Sequence, residues 1–198
     1  MAKPRLDRDQ RRNQILAAAS DVFGRLGFES ARMDDVAREA GIAKGLLYKH
    51  FASKDALFRA LVDRQGTTYA QELRSALAEP GVSAEPAQAL RAGLAFWLRM
   101  LRDDQASFNL TDPGGHDAYD GLRESLRAVI ADAVRAAEPA VPEPFPRYIA
   151  ALIQGAAENL GLVWRDDPSG IGEDAALAML SAFCWGGLNE LSSQRTAG

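Results

Sequence analysis

Four side chains that can bind a nucleic acid lie close together in the first quarter of the chain: Lys44, Tyr48, Lys49 and His50. Their ammonium, phenol and imidazole groups donate hydrogen bonds to phosphate oxygens and to the edges of bases. We assign them to the outer side of a short helix whose inner side holds Leu47. The pattern indicates a helix that presents its outer face to DNA.

The residues around this helix meet the steric requirements of a helix-turn-helix motif. Two short helices cross closely where the crossing residue is small, as Ala37 is, and the turn takes a residue of positive φ, which Gly41 adopts readily. Apolar residues line the inner faces of both helices: Val36, Ala40, Ile42 and Leu47. An ordinary helical hairpin is the alternative, but it requires neither this combination nor the outward-facing cations. The motif therefore favours DNA binding.

From Gln14 to Val62 the chain resembles the N-terminal domain of the TetR family of transcriptional regulators. The matching segments are 15–19, 22–23, 27–28, 36–37, 40–42, 44–51 and 53–57. The resemblance covers about a quarter of the chain, and the remainder is similar only in length and helical character. It implies an all-α protein with an N-terminal three-helix DNA-binding head and a C-terminal helical domain for ligand binding and dimerisation.

The resemblance also implies roles for individual residues of the second motif helix, which would act as the recognition helix. Its leading end, formed by Lys44, Gly45 and Leu46, would read bases in the major groove. Lys44 can donate to guanine O6 and N7, and Leu46 can contact a thymine methyl group. The outward residues at or beside the family's phosphate contacts are Tyr48, Lys49 and His50.

Further contacts with the DNA backbone are implied on either side of the motif. Lys54, at a helix N-terminus, would pair with a phosphate, while Arg32 and Met33 begin the preceding helix. Arg32 stands where the family often has a small hydroxyl residue. Ala43 stands where the family usually has a Ser or Thr N-cap, and a missing cap weakens a helix by roughly 1 kcal/mol. These departures alter the expected operator sequence and leave the DNA-binding interpretation in place.

Helical periodicity recurs along the whole chain, without the sustained alternation that is typical of strands. The pattern predicts helices over residues 8–26, 32–40, 44–50, 53–77, 87–102, 117–138, 147–165 and 173–193. Gly27 is expected to end the first helix in the left-handed region, and Pro80-Gly81 to end the fourth. We therefore expect an all-α fold with a DNA-binding domain at 1–52, a linking helix from Ser53, and a ligand-binding and dimerisation domain at 53–198.

The charge is distributed unevenly along the chain. Residues 1–64 hold 13 Lys and Arg against 9 Asp and Glu, whereas residues 65–198 hold 10 against 18. A basic head on an acidic body indicates that only the head approaches a polyanion, although a basic solvated face without a partner explains the charge alone equally well. A ligand-independent architectural DNA-binding protein is a second functional reading. It would need a basic surface beyond the head, and the acidic body argues against that.

The last two predicted helices are expected to form a homodimer, as the resemblance implies. The residues that would face the partner in the last helix are Leu177, Leu180, Ser181, Cys184, Leu188 and Leu191. Those in the preceding helix are Ile149, Leu152, Ile153, Ala156, Leu160 and Val163. The alternative is that these faces pack inside one monomer. Dimerisation is favoured because one head reads too few bases for useful specificity.

A small-molecule effector is expected between the middle helices, in a mainly apolar site. The candidate walls are Phe96, Trp97, Met100, Phe108, Tyr119 and Trp164. The candidate polar anchors are Asn109, His116, Gln154, Glu158 and Asn159. Each aromatic residue taken singly could instead belong to the core. The body carries no cluster of cations, which favours a lipophilic, aromatic or cationic ligand over a highly anionic one.

The sequence argues against an enzyme, although a helical enzyme is kept as a remote alternative. We expect no catalytic residue, no cofactor and no metal site, because His116 has no nearby cysteine or second histidine and no phosphate-binding loop or nucleophile elbow is present. The single cysteine, Cys184, excludes an internal disulfide. Without a signal-peptide core or a membrane-length apolar run, we expect a cytoplasmic protein that does not enter the membrane.

Overall fold

The computed structural model describes residues 7–103, 116–167 and 170–196; the side chains at 103, 116–118, 165–166 and 191–196 are not described. All the regular structure in these ranges is helical, so the predicted all-α class is confirmed. The helices are α1 Arg8–Ser30, α2 Met33–Glu39, α3 Lys44–His50, α4 Lys54–Ala78, α5 Pro80–Ser83, α6 Pro86–Asp103, α7 His116–Ala137, α8 Phe145–Asp166 and α9 Glu173–Thr196.

The chain divides into two compact units. Of the described residues, the first, called the head unit, contains 7–67 and 116–122. The second, called the body unit, contains 68–103, 123–167 and 170–196. Helices α4 and α7 each contribute one end to the head unit and the other end to the body unit. The predicted separation into a DNA-binding and a ligand-binding domain concerns function and stays a prediction.

The core of the head unit is built on the amphipathic helix α1. A capping box begins the helix, because Asp7 accepts a hydrogen bond from the backbone N–H of Gln10 at 2.7 Å and the Gln10 side chain accepts one from the N–H of Asp7 at 3.1 Å. The buried face of the helix then repeats at helical spacing: Ile15, Leu16, Ala18, Ala19, Val22 and Phe23. This face packs the head unit's first helix against α2.

An aromatic cluster completes the head unit. The Phe28 ring lies 5.8 Å from Phe23 and 4.7 Å from Phe58, and Phe58 in turn meets Tyr119 edge to face at 5.8 Å. Gly27 has the predicted positive φ, 74°, but its ψ of 160° lies far from the left-handed helical value. The residue therefore forms a kink that turns Phe28 into the cluster, and helical backbone resumes as far as Ser30 rather than ending at Leu26.

The body unit packs the second halves of α4 and α7 with α6, α8 and α9. Its buried residues include Leu73, Leu94, Leu98, Leu101, Leu126, Ala150, Ala157, Leu180 and Cys184. Most predicted helix bounds agree with the structure to within two residues, but α5 was not predicted. Pro80 begins this short helix, because proline has no N–H to lose at the first helical position. Within the described residues, no helix combines the length and the apolar character needed to cross a membrane.

Candidate nucleic-acid interface and ligand cavity

Helices α2 and α3 form a helix-turn-helix with the geometry that the sequence predicts. Gly41 in the turn has a φ of 62°, and its N–H donates to the carbonyl of Arg38 at 3.1 Å. The next residue, Ile42, donates to the carbonyl of Ala37 at 3.0 Å. Ala37 is buried at the crossing, and Leu47 packs the inner face of α3 completely out of solvent. The turn is therefore held by its own backbone, and α3 can present only its outer face.

Two side chains that the sequence analysis did not single out as functional hold this motif against α1. The Gln14 amide donates to the carbonyl of Ala40 at 2.8 Å, which satisfies a backbone acceptor at the end of α2. The guanidinium carbon of Arg12 lies 4.5 Å from the centre of the Phe51 ring, just after α3. Each of these contacts joins residues that are 26 or more positions apart in the sequence, so local sequence patterns do not reveal them.

The outer face of α3 brings together most of the predicted DNA-binding residues. The exposed residues are Lys44, Gly45, Tyr48 and Lys49, while Leu46 and His50 are half-buried. Arg32 is exposed just before α2, but Met33 is buried in the core of the head unit. Any contact of Met33 with DNA therefore has to come through its backbone.

Lys44, the first residue of α3, is paired with the preceding helix. Its Nζ lies 2.7 Å from Oδ1 of Asp34, and this hydrogen bond raises the pKa of Lys44 above its usual value. Both side chains are more than half exposed, so water and salt weaken their attraction. Ala43 provides no side-chain cap for α3, as the sequence predicts.

Lys54, predicted to bind a phosphate, already has protein partners. Its Nζ donates to the backbone carbonyls of Phe28 at 2.7 Å and Glu29 at 3.2 Å, and it lies 4.3 Å from the centre of the Phe28 ring. The neighbouring Ser53 accepts a hydrogen bond from the N–H of Ala56 at 3.1 Å, which is the predicted N-cap of α4. Lys54 therefore joins the start of α4 to the end of α1, and its role with DNA stays a prediction.

A largely apolar cavity of about 150 Å³ lies within the body unit. Residues from five helices and the segment after α7 line it: Leu73, Leu77, Pro86, Ala89, Leu90, Gly93, Leu94, Trp97, Ile130, Ala133, Val134, Ala137, Glu138, Val141, Ile149, Ile153, Gln154, Ala157, Trp185, Leu188 and Asn189. Pro86, Ala137 and Glu138 are exposed, whereas Leu94, Trp97 and Ala157 are buried. The cavity therefore runs from the surface into the core of the unit.

Of the residues predicted to bind a ligand, Trp97 and Gln154 line this cavity. Phe96 instead packs edge to face with Tyr69 at 6.1 Å. Trp164 donates its indole N–H to the carbonyl of Ile171 at 2.8 Å.

The other predicted ligand-binding residues also lie outside the cavity lining or outside the described residues. Tyr119 belongs to the aromatic cluster of the head unit, Met100 is buried, and Asn159 is exposed and donates to the carbonyl of Gly155. Glu158 accepts hydrogen bonds from Gln154 and Arg123. Phe108 and Asn109 lie outside the described residues, and the side chain of His116 is not described. Aromatic and polar residues were predicted for this site, whereas most of its lining is aliphatic.

Gln154 is the buried polar residue in the cavity wall, and its hydrogen-bonding groups are engaged. Its Oε1 accepts from Nε of Arg127 at 3.1 Å. Its Nε2 donates to Oε1 of Glu158 at 3.0 Å and to the carbonyl of Arg123 at 3.3 Å. Trp97 differs, because its Nε1 is buried with no acceptor among the described residues.

The outer faces of α8 and α9 expose large apolar side chains. On α9, Phe183 is 73% exposed and Met179 is 51% exposed. On α8, the exposed residues are Tyr148, Leu152 and Val163. They recur at intervals that place them on one stripe of each helix. An apolar surface of this kind is typical of an interface with another molecule.

This finding corrects the residues predicted for the interface. Leu177, Leu180 and Cys184 of α9 are buried inside the body unit. Ile149, Ile153 and Leu188 line the cavity. Among the predicted interface residues whose side chains the structure describes, Leu152 and Val163 are the ones in the exposed stripe, and the side chain of Leu191 is not described. Leu177, Leu180 and Cys184 belong to the protomer's own core, because α9 packs against α6 and α8.

The head unit thus has the architecture of a helix-turn-helix DNA-binding domain, and known proteins share it. The family model "Bacterial regulatory proteins, tetR family" matches residues 15–61. The transcriptional activator FasR of Mycolicibacterium smegmatis is 28% identical, over 97% of this chain and 89% of FasR. A TetR-like regulator from Rhodococcus sp. RHA1 is 30% identical, with a TM-score of 0.63 over 93% of this chain and 99% of that one.

The chain therefore belongs to the TetR family of transcriptional regulators. At lower identity, 14%, the fold is also similar to that of FadR from Bacillus subtilis in complex with stearoyl-CoA. That likeness has a TM-score of 0.70 over 87% of this chain and 96% of FadR. It concerns the fold alone. The described residues contain no group of three or more His, Cys, Asp or Glu arranged to hold a metal ion.

Proposed function

We propose that this protein is a two-fold dimer that binds a palindromic operator, represses transcription there, and is released by a small, mainly apolar ligand. One observation carries the proposal: Lys44, Tyr48 and Lys49 are exposed on the outer face of α3, whereas Leu47 on its inner face is fully buried. A rigid helix with exposed donors fits the major groove. The exposed Arg32 and half-buried His50 extend the same surface toward the phosphate backbone.

The exposed apolar stripes of α8 and α9 support the proposed dimerisation through these two helices. Phe183 is the most exposed large apolar residue of the described chain, and a second copy of the same surface would bury it. A two-fold dimer places two recognition helices about 34–36 Å apart, which is one turn of DNA. A palindromic operator is the sequence that matches this symmetry.

The cavity of the body unit is the proposed ligand site. Its wall is mostly aliphatic, which suits an apolar ligand, and the FadR structure of similar fold contains stearoyl-CoA, a molecule with a long acyl chain. Leu73 and Leu77 in the cavity wall belong to α4, the helix whose other end carries Lys54 in the head unit. A ligand that displaces this helix would change the spacing between the two recognition helices, which would then no longer match the two halves of the operator. Reversing the occupancy of the operator from 99:1 to 1:99 requires about 5.5 kcal/mol of differential affinity.

The first experiment is selection of bound sequences from a random DNA pool by the full-length, ligand-free protein. We expect an enriched palindrome, which then serves as the probe for titrations. Lys49→Ala should weaken binding to that probe, whereas Arg99→Ala, which removes an exposed cation from the body unit, should not. Selection that enriches no sequence, with binding that vanishes at moderate salt, would reject a sequence-specific regulator.

The direction of regulation needs its own measurement. A reporter gene placed behind the selected operator should be expressed less when the protein is present. FasR is named as an activator, so a rise in expression would reverse the proposed sign while leaving operator binding intact.

A further inference from the structure

The indole N–H of Trp97 is a buried hydrogen-bond donor that lacks a partner among the described residues. Trp97 is 4% exposed and lines the apolar cavity of the body unit. Buried donors almost always have acceptors, because removing an N–H from water without one costs free energy. Trp164 on α8 illustrates the ordinary case, since its indole N–H donates to the carbonyl of Ile171. Since no described residue accepts from Trp97, a molecule bound in the cavity is the acceptor we consider for it.

Gln154 does not supply that acceptor. Its amide oxygen already accepts from Arg127, and its amide nitrogen already donates to Glu158 and to the carbonyl of Arg123. Changing these partners would disturb a part-buried network that ties α7 to α8. Both N–H donors of the Gln154 amide are therefore used, and its oxygen, which keeps one acceptor position, cannot donate to an acceptor on a ligand.

The charge of the lining and the need for an acceptor together narrow the class of ligand. No Lys, Arg or His occurs among the described residues that line the cavity, and Glu138 near its exposed end is the charged group present. An anion would lose its hydration without gaining a counter-ion and would meet the carboxylate of Glu138. An alkylammonium group has only donors, so it would leave the N–H of Trp97 without a partner.

We propose that the cavity binds a neutral lipophilic molecule with one hydrogen-bond acceptor, such as the carbonyl of an ester or ketone, and that Trp97 Nε1 donates to this acceptor. Because Nε1 is itself buried although Trp97 lines the cavity, this contact requires the indole to turn when the ligand binds. The inference rests on the proposed ligand site and adds to it the chemical class of the ligand and the residue that selects it. Trp97 thereby acts as a specificity-determining residue.

Four probes with the same eight-carbon chain test the class of ligand: methyl octanoate, octanoate, octylammonium and 1-chlorooctane. Their dissociation constants are measured by calorimetry on the full-length protein near neutral pH. We expect methyl octanoate to bind most tightly. In Trp97→Phe, which keeps an aromatic ring and loses the N–H, methyl octanoate should bind about tenfold more weakly, and 1-chlorooctane should be little changed. Trp164→Phe is the matched control and should leave all four affinities unchanged.

A second measurement needs no substitution in the cavity. The chain has three tryptophans, so protein labelled with nitrogen-15 at tryptophan shows three indole N–H signals. Binding of methyl octanoate should move one of them downfield, as expected for a new hydrogen bond. Variants at Trp164 and Trp185 assign the signals by elimination, so the result does not depend on the folding of Trp97→Phe.

Each remaining outcome rejects the inference in a distinguishable way. Equal binding of methyl octanoate to wild type and Trp97→Phe would remove the role of Trp97 but keep the ligand site. Tighter binding of octanoate or octylammonium would reject the neutral class. Binding of none of the four probes would reject the inference altogether, whereas the operator selection described above decides separately whether the protein is a sequence-specific regulator.

Discussion

The ammonium group of Lys44 lies 2.7 Å from the carboxylate of Asp34, so the first residue of α3 is bound to α2 in the free protein. Lys44 can donate to guanine bases, but a lysine also binds any phosphate. A carboxylate beside it competes with phosphates and holds the side chain near the leading end of α3. We therefore expect Asp34 to affect which DNA contacts Lys44 forms.

Replacing Asp34 with Asn should reduce the discrimination between operator and random DNA. The released Lys44 can reach phosphates, so binding to random DNA should strengthen more than binding to the operator. The slope of log Kd against log salt on random DNA should steepen by about one. Glu39→Gln is the control, because it removes the same charge from α2 but breaks a pair with Arg25 instead. Equal effects of the two substitutions would mean that only net charge matters.

Lys44→Ala and Lys54→Ala should have different effects, because Lys44 is expected to recognise bases and Lys54 stabilises the fold. Lys54→Ala loses two charge-assisted hydrogen bonds to carbonyls, so it should lower the free energy of unfolding by about 1–3 kcal/mol and weaken binding to all DNA similarly. Lys44→Ala should leave stability nearly unchanged and alter the base preference. Urea unfolding and a repeated selection measure the two properties. An altered base preference without destabilisation in Lys54→Ala would contradict this division of roles.

Phe183→Glu should produce a monomer. A carboxylate in the exposed stripe on α9 cannot be buried against a second copy without a large cost in free energy. Sedimentation velocity should show half the mass, and affinity for the full palindrome should fall to that for a half-site. Leu26→Glu alters a similarly large exposed residue in the head unit and should remain dimeric. A dimeric Phe183→Glu protein would place the interface elsewhere.

Two glycines of the helix-turn-helix should respond in opposite directions to alanine. Gly41 has a φ of 62°, so Gly41→Ala should destabilise the protein by about 1–2 kcal/mol, although nothing lies within 4 Å of the added carbon. Gly45 is helical and exposed, so Gly45→Ala should stabilise by about 0.5–1 kcal/mol. The added methyl group should nevertheless weaken operator binding if α3 enters the groove closely. Unchanged operator affinity in Gly45→Ala would argue against that approach.

Cys184 should react slowly with thiol reagents in the folded protein. Burial raises the pKa of its thiol, so the reactive thiolate is scarce at pH 7–8, and access to the sulfur is also restricted. A colorimetric disulfide reagent should modify the native chain slowly and the urea-unfolded chain within seconds to minutes. Rapid modification of the native chain would show that α9 opens readily.

Much of the head unit was predictable from the sequence because its determinants are local. The small Ala37, the positive-φ residue Gly41 and the inward Leu47 lie within eleven residues and define the crossing of α2 and α3 on their own. The bounds of α3 were predicted to the residue for the same reason. By contrast, the hydrogen bond from Gln14 to Ala40 and that from Lys54 to Phe28 join residues 26 positions apart, and local periodicity carries no information about them.

In the body unit, the sequence by itself determined that the chain is helical, and tertiary packing decided which helix faces are inside. The apolar residues of α9 lie on several of its faces. Periodicity therefore does not distinguish Leu180 and Cys184, which face the core, from Phe183, which faces outward. The cavity has the same origin, since five helices contribute to its wall. Such a cavity forms only when the helices pack, because its walls are side chains that lie far apart in the sequence.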